Sequence, residues 1–164
     1  MSMDLKKFRE SLEKQAPKLV DTMVKEVQLS VGQYVYEKMI LRTPVLTGHA
    51  RHNWRPTINE QVMDEQEGVF GGALTGDPIT GDERTRWNDV KKQIKSMPIG
   101  QTIWISNNAP YILKLEHGGY PPGPNIVNGF SKKAPNGMVM ITLREVLEGV
   151  YSQQTKVMSD DSGG

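Results

Sequence analysis

The segment QTIWISNNAPYILKLEHGG (residues 101–119) holds a strand, a turn, a short helix and a stop in immediate succession. In Gln101–Ser106, Ile103 and Ile105 fall on one face and Thr102 and Trp104 on the other, the period-two pattern of a half-buried strand. Asn107 and Asn108 can bond exposed backbone N–H groups, and Pro110 suits a first helical turn, where its missing N–H costs nothing. Tyr111, Ile112 and Leu115 can then pack onto the sheet, and Gly118 can take the left-handed position that ends a helix. The segment is therefore a fixed corner that releases a glycine-rich arm. Glu116 and His117 stand side by side in it, but adjacent helical side chains point about 100° apart. They are read as architecture and not as an acid–base pair, which needs positioned groups within hydrogen-bond reach of substrate.

Helical patterns lie on both sides of this corner. Leu5, Phe8 and Leu12 recur at three- and four-residue steps, and Pro17 suits the first turn of a second helical segment. That segment carries the stripe Leu19/Val20, Met23/Val24, Val27, Val31, Tyr34/Val35 and Met39, with Lys18, Asp21, Lys25, Gln28, Gln33 and Lys38 off it. Thr43-Pro44 ends it, because the residue before proline is pushed out of the α region. Its roughly 25 residues would span about 37 Å, long for a small domain, so the far end is expected to serve a partner. TPVLTGHARHNW (43–54) is turn-rich and runs into a strand expected around Asn53–Val62. Residues 64–82, acidic at Asp64–Glu67 and then glycine-rich, are expected to form a mobile loop or an extended hairpin. Trp87, Val90, Ile94 and Met97 mark a short amphipathic helix ending before Pro98. GGYPPGPNIVNGFSKKAPNG (118–137) shows no regular element. Met138–Thr142 fits either a strand or a helix start, and Leu143, Val146/Leu147 and Val150/Tyr151 predict a C-terminal helix.

The expected fold class is α+β in a single domain, residues 1–164. A long N-terminal helix and a C-terminal helix pack on a small, mainly antiparallel sheet with two long Gly/Pro-rich loops. Within it, 1–43 is the helical N-terminal part, 64–97 an insertion with a loop and a short helix, 118–137 an arm, and 158–164 a flexible tail. Trp54 and Tyr111 are expected core rings.

Composition narrows the chemistry. The absence of cysteine removes disulfides, thiolate nucleophiles and cysteine zinc sites together. With 37% hydrophobic residues, 16 glycines and 10 prolines, part of the chain is expected to order only against neighbours. A net charge of +1 advertises no global basic field. The N-terminus has no apolar signal region and no apolar run approaches ~18 residues, so a soluble protein without membrane association is expected. Neither a P-loop, a dinucleotide fingerprint nor a G-x-S-x-G elbow occurs.

Two constellations leave other functions open. His49 and His52, with His117 far downstream, could serve a small metal-dependent hydrolase, although Arg42, Arg51 and Arg55 make a poor field for a cation. The same arginines and histidines form a basic 42–55 segment without an acid, readable as a solvated face or as a DNA-binding module. Asp64–Glu67 is a possible complement to it on a neighbouring subunit. No catalytic residue, cofactor or metal ligand is assigned.

Two segments together resemble the tailed-bacteriophage neck and tail-completion (head–tail joining) proteins. TPVLTGHARHNWRPTIN follows a long helix and is similar to that family's T-P-V-x-T-G-x-L-R-x-S-W pattern, on Thr43, Pro44, Thr47, Gly48, Arg51 and Trp54. ISNNAPYILKLEHGGYPPGPNIVNGFSKKAPNGMVMITLREV is similar to a second signature, an N-x-x-P-Y turn, a short helix ending E-x-G, and an S-x-x-A-P-x-G return into the last helix. Asn108, Pro110, Tyr111, Glu116, Gly118, Ala134, Pro135 and Gly137 carry it. Ala50 stands where the family usually has leucine, Asn53 replaces a small residue, the loop after Gly118 is longer, and 64–97 looks inserted.

The resemblance implies a structural virion protein and not an enzyme, assembled in the host cytoplasm. It implies a homo-oligomeric ring, a hexamer first and a dodecamer second. Its partners would be a portal-side adaptor or head-closure protein and the tail tube or tail terminator protein. DNA would pass through without specific binding. Tyr120, Phe130, Lys132 and Lys133 are the candidate assembly-loop contacts, and the isolated chain is expected to be monomeric or weakly associated.

Overall fold

The computed structural model describes residues 5–68, 70 and 76–160, with side chains as far as residue 149. The elements run α1 (Leu5–Arg42), α2 (His49–His52), β1 (Arg55–Ile58), α3 (Gly81–Ser96), β2 (Ile103–Ser106), α4 (Ile112–His117), β3 (Ile126–Val127), β4 (Phe130–Ser131) and α5 (Val139–Asp160). The fold is α+β, with α1 contacting α5 and two small antiparallel sheets. Among the described residues no helix is long and apolar enough to cross a membrane.

α1 is one unbroken helix of 38 residues with Pro17 inside it, which corrects the two-segment reading. At 1.5 Å per residue it is about 57 Å long. It stops where Thr43-Pro44 predicts, and the Thr43 hydroxyl donates to the Met39 carbonyl at 2.6 Å. The core begins only at Leu29 and continues through Val35, Tyr36, Met39 and Ile40. The expected stripe from Leu19 to Tyr34 is instead largely exposed: Leu19, Val20, Met23, Val24, Val27, Val31 and Tyr34 all face outward. From residue 5 to 24 every residue but Asp21 is exposed. Periodicity located the apolar face correctly, but the protomer does not cover it.

A proline inside a helix removes one ladder hydrogen bond and crowds the carbonyl four residues earlier, at about 3 kcal/mol. Nothing in the protomer offsets that cost around residue 17. Pro17→Ala should therefore slow amide exchange across residues 13–20 by more than about tenfold. It should leave the global unfolding free energy within about 0.5 kcal/mol, because this stretch makes no core contact. Exchange by NMR and urea unfolding read the two quantities separately.

β1 and β2 pair antiparallel, with Arg55 opposite Ser106 and Ile58 opposite Ile103. Ile103 and Ile105 turn toward the core while Trp104 stays exposed, as the alternation predicts. α3 packs against β1 and α1 through buried Trp87, Val90 and Ile94. Trp87 stacks on Tyr36 with ring centroids 5.8 Å apart. Gly32 permits this approach, since a Cβ there would lie 2.7 Å from the Trp87 ring.

α3 starts earlier than expected, because Thr80 and Glu83 form a capping box: the Thr80 side chain accepts from Glu83 N, and Glu83 accepts from Thr80 N. That signal is legible in TGDE, although the glycine-rich composition of 64–82 reads as loop. No strand occurs among the described residues of 64–82. The expected hairpin there falls partly on residues 69 and 71–75, outside the described residues, as do residues 161–164 of the expected tail.

The arm is a second correction. Residues 118–137 contain a hairpin, β3 against β4, turned by Asn128 and Gly129 with φ of 53° and 81°. Two successive positive φ values make the primed turn whose twist matches the strands, and Asn-Gly is its strongest sequence signal. Met138–Thr142 resolves as the start of a helix. α5 is latched to α1 by Tyr34, which donates to Glu145 at 2.8 Å, and by Arg42, which donates to Thr142 at 2.7 Å and Glu145 at 2.5 Å.

Candidate functional site: two buried carboxylate joints

The residues of the first signature gather around α2. Gly48 opens this helix with φ 80° and ψ −9°, and a Cβ there would overlap the Phe70 carbonyl at 2.0 Å. Thr47, itself exposed, accepts the Phe70 N–H on its carbonyl at 2.9 Å. One turn later Arg51 is buried, 2% exposed, and grips Glu83 with both arms, Nε to Oε1 at 2.7 Å and Nη2 to Oε2 at 2.9 Å. Its Nη2 also donates to the carbonyls of Asp77 and Pro78. Burial pushes the Glu83 carboxyl up, but the Arg51 guanidinium and the Thr80 N–H outweigh burial and hold it below the ordinary range. Trp54 is buried, its indole N–H donating to the Thr43 hydroxyl at 2.7 Å. Pro44 is half-buried beside them.

The second signature forms a joint at the other end of the corner. Asn107 accepts the Ala109 N–H and donates to the Ala50 carbonyl, as a turn residue should. Asn108 instead donates to the carbonyls of Val62 and Asp64, tying the β1–α3 loop to the corner. Pro110 stands in the turn just before α4. Leu115 and Glu116 are buried on α4. The Glu116 carboxylate accepts the N–H groups of Met138, Val139 and Met140 at 2.7, 2.8 and 2.9 Å, capping α5 from a distant part of the chain. A carboxylate at a helix N-terminus satisfies orphan donors and meets the positive end of the helix dipole. Gly137, at φ 74°, lets the chain pass this carboxylate, since a Cβ would come within 2.5 Å of the Glu116 carbonyl. Ala134 is buried and Pro135 exposed in the return. Gly118 has the expected positive φ of 78°, but its ψ of −150° is not the left-handed helical value expected of it. Its need for glycine is steric, with the Phe130 ring 3.0 Å from where a Cβ would sit.

Tyr111 corrects its expected core role. It is 39% exposed, edge-on to His49 at 5.9 Å between centroids. Tyr111→Ala should therefore cost about 1 kcal/mol in urea unfolding, well below the ~3 kcal/mol of a core ring.

Of the four candidate arm contacts, two close the arm onto its own chain. The Tyr120 ring sits under the Lys114 ammonium at 4.8 Å, and Phe130 lies against Gly118. Lys132 and Lys133 remain exposed.

The basic 42–55 segment does not form the open patch its sequence suggests. Arg42 meets Glu145, Arg51 meets Glu83, and Arg55 meets the Asp64 carboxylate at 3.0 Å and also its carbonyl. The His49 Nε2 lies 2.9 Å from Glu65. Asp64 and Glu65, part of the acidic block read as a possible complement on a neighbouring subunit, thus meet bases of their own chain. A hydrogen bond from Arg55 holds the exposed Asp64 carboxyl below its usual range.

His52 stacks on Phe70 at 3.7 Å and faces Arg86, whose Nη2 is 2.7 Å from its Nε2. Burial first, then the Arg86 charge, lowers the His52 pKa. His117 is exposed, and among the described residues no group of three His, Asp or Glu is placed to hold a metal.

Two functional side chains lie outside the candidate residues of the sequence. Glu83 had a legible signal in its capping box, but nothing local paired it with Arg51, 32 residues away. Asn53, fully buried, exchanges hydrogen bonds with both backbone groups of Gln66, for which no pattern exists. Glu116 belongs to the second signature, but no local pattern pairs it with the start of α5, 22 residues away. No protein-family model, curated protein or solved structure matches the chain.

Proposed function

We propose that this chain is a structural subunit of the tailed-phage neck, joining tail to head within a homo-oligomeric ring around the DNA channel. One observation carries the reading: Gly48, Arg51, Trp54, Asn108, Glu116, Gly118 and Gly137 of the two signatures are spent on internal joints, while a long apolar stripe of α1 points outward. Gly48, Arg51 and Trp54 brace α2 against α1 and α3, and Asn108, Glu116, Gly118 and Gly137 brace α4 against the arm and α5. Such a body is rigid at its centre and offers its periphery to neighbours, as a ring subunit with heterologous contacts must. The arginines of 42–55 are engaged with carboxylates, which suits a protein that DNA passes without being gripped. The neighbours would be an adaptor or head-closure protein on the portal side and the tail tube or terminator on the other, with six copies favoured over twelve.

Cryo-electron microscopy of virions containing this chain tests the proposal. Density for a ring of this fold between portal and tail tube is the expected result and gives the copy number. Virions in which the junction is built from other chains alone would overturn it.

A further inference from the structure

We infer that the exposed apolar stripe of α1 is the surface by which one copy of this chain holds a second copy. Ten large apolar side chains between Leu5 and Tyr34 keep 38–82% of their surface exposed. At roughly 100 Å² each, that is on the order of 1,000 Å² on one element. The largest apolar patch of an ordinary monomer is about 300–600 Å², and a stable interface takes about 800 Å² from each partner. The stripe is of interface size, and among the described residues most of it stays exposed.

Helix energetics agree. Residues 5–24 form helix through an interior proline without a single buried side chain. A stretch of that kind is marginal alone in water, and packing of its apolar face is what sustains a helix in a protein. The polar flanks indicate what covers it. Residues 5–24 carry both signs, Lys6, Lys7, Arg9, Lys14 and Lys18 with Glu10, Glu13 and Asp21, and ion pairs Arg9–Glu13 and Lys25–Asp21 both span 2.8 Å. The polar face of a helix lying on an anionic membrane is rich in Lys and Arg, whereas three of the eight charges here are acids. With both signs present, the bases of one copy can meet the acids of another, so a second copy is the occupant they favour.

The stripe also runs into a groove of about 570 Å³ lined by Val27, Val31, Val35, Ile103 and Ile105. Each chain thus brings an apolar rod, residues 5–24, and an apolar groove at the far end of the same helix. Rod into groove is a heterologous contact, which propagates from copy to copy and closes if the rotation allows. This head-to-tail order rests on the ring reading above; the pairing of copies does not. It replaces the weak association expected from the loops alone.

Sedimentation velocity of the full chain tests the inference, comparing wild type with Leu12→Asp/Leu19→Asp on the rod and Val31→Asp at the groove. Wild type should associate at micromolar concentration, and the rod variant should raise the dissociation constant by at least about 100-fold. Both rod positions are exposed in the protomer, so near-ultraviolet circular dichroism should report an unchanged core. Since the chain has no cysteine, mixing Leu12→Cys with Val31→Cys chains under oxidation should give the mixed disulfide ahead of either homodimer. Wild type that stays monomeric at about 100 µM overturns the inference. So does association unchanged by the rod variant, or binding to phosphatidylserine vesicles without self-association, which would assign the stripe to lipid. Self-association without a virion ring keeps the pairing and removes the neck reading. A virion ring with α1 bare to solvent does the reverse.

Discussion

Replacing Glu116 with alanine will lower the unfolding free energy by about 3–5 kcal/mol, because three backbone N–H groups lose a charged acceptor at once. Met138 is fully buried, so water cannot take over at its N–H without opening the joint. In a domain of this size the loss corresponds to roughly 10 °C in melting temperature. The Gln variant keeps one acceptor oxygen but loses the charge that favours a helix N-terminus, and should fall about midway. Thermal melts give the magnitude, and amide exchange gives the location. In the alanine variant the amides of Met138–Met140 should exchange first, ahead of the α1–α3 core. If they stay protected while the whole domain melts at the wild-type temperature, the carboxylate is not what anchors α5.

Glu83→Ala is the second large effect, expected to cost about 3–5 kcal/mol because it strands the Arg51 guanidinium in the interior. Removing both charges costs less than removing one. Arg51→Met/Glu83→Leu should lose about 1–2 kcal/mol, chiefly from the carbonyls of Asp77 and Pro78 left without their donor. A double-mutant cycle in urea therefore shows strong coupling, and additive losses would refute a paired joint.

The pair also sets an acid limit. Glu83 has its folded pKa below the ordinary 4.5, so its stabilisation is full above that value and is lost as pH falls through the lower folded one. Melting temperature should be flat from neutrality to about pH 5 and drop below pH 4.5. Glu83→Gln should start lower and show a shallower acid slope.

Local rules carried most of the fold. The alternation in QTIWIS, the corner after Asn107, the stop at Thr43-Pro44 and the helical spacing after Leu143 each depend on a few neighbouring residues, so they were legible. The capping box at Thr80–Glu83 and the Asn-Gly hairpin at 128–129 are equally local, but each sits in a glycine-rich stretch whose composition reads as loop. Pro17 misled for a different reason. A proline is at home in a first turn and costs about 3 kcal/mol inside a helix, so local chemistry favours a break that the unbroken α1 does not make.

What the sequence by itself determined is which segments become helix, strand and turn, and which face of each is apolar. Only the tertiary structure decided the partners. Arg51 found Glu83 across 32 residues, Glu116 found the start of α5 across 22, and the arginines of 42–55 found acids that no spacing rule links to them. It also decided that the stripe of α1 is core only from Leu29 onward. The reason is physical: dihedral preference and side-chain period act within a few residues. Burial and charge pairing depend on what the rest of the chain brings within reach, and along the first half of α1 the described residues bury no side chain.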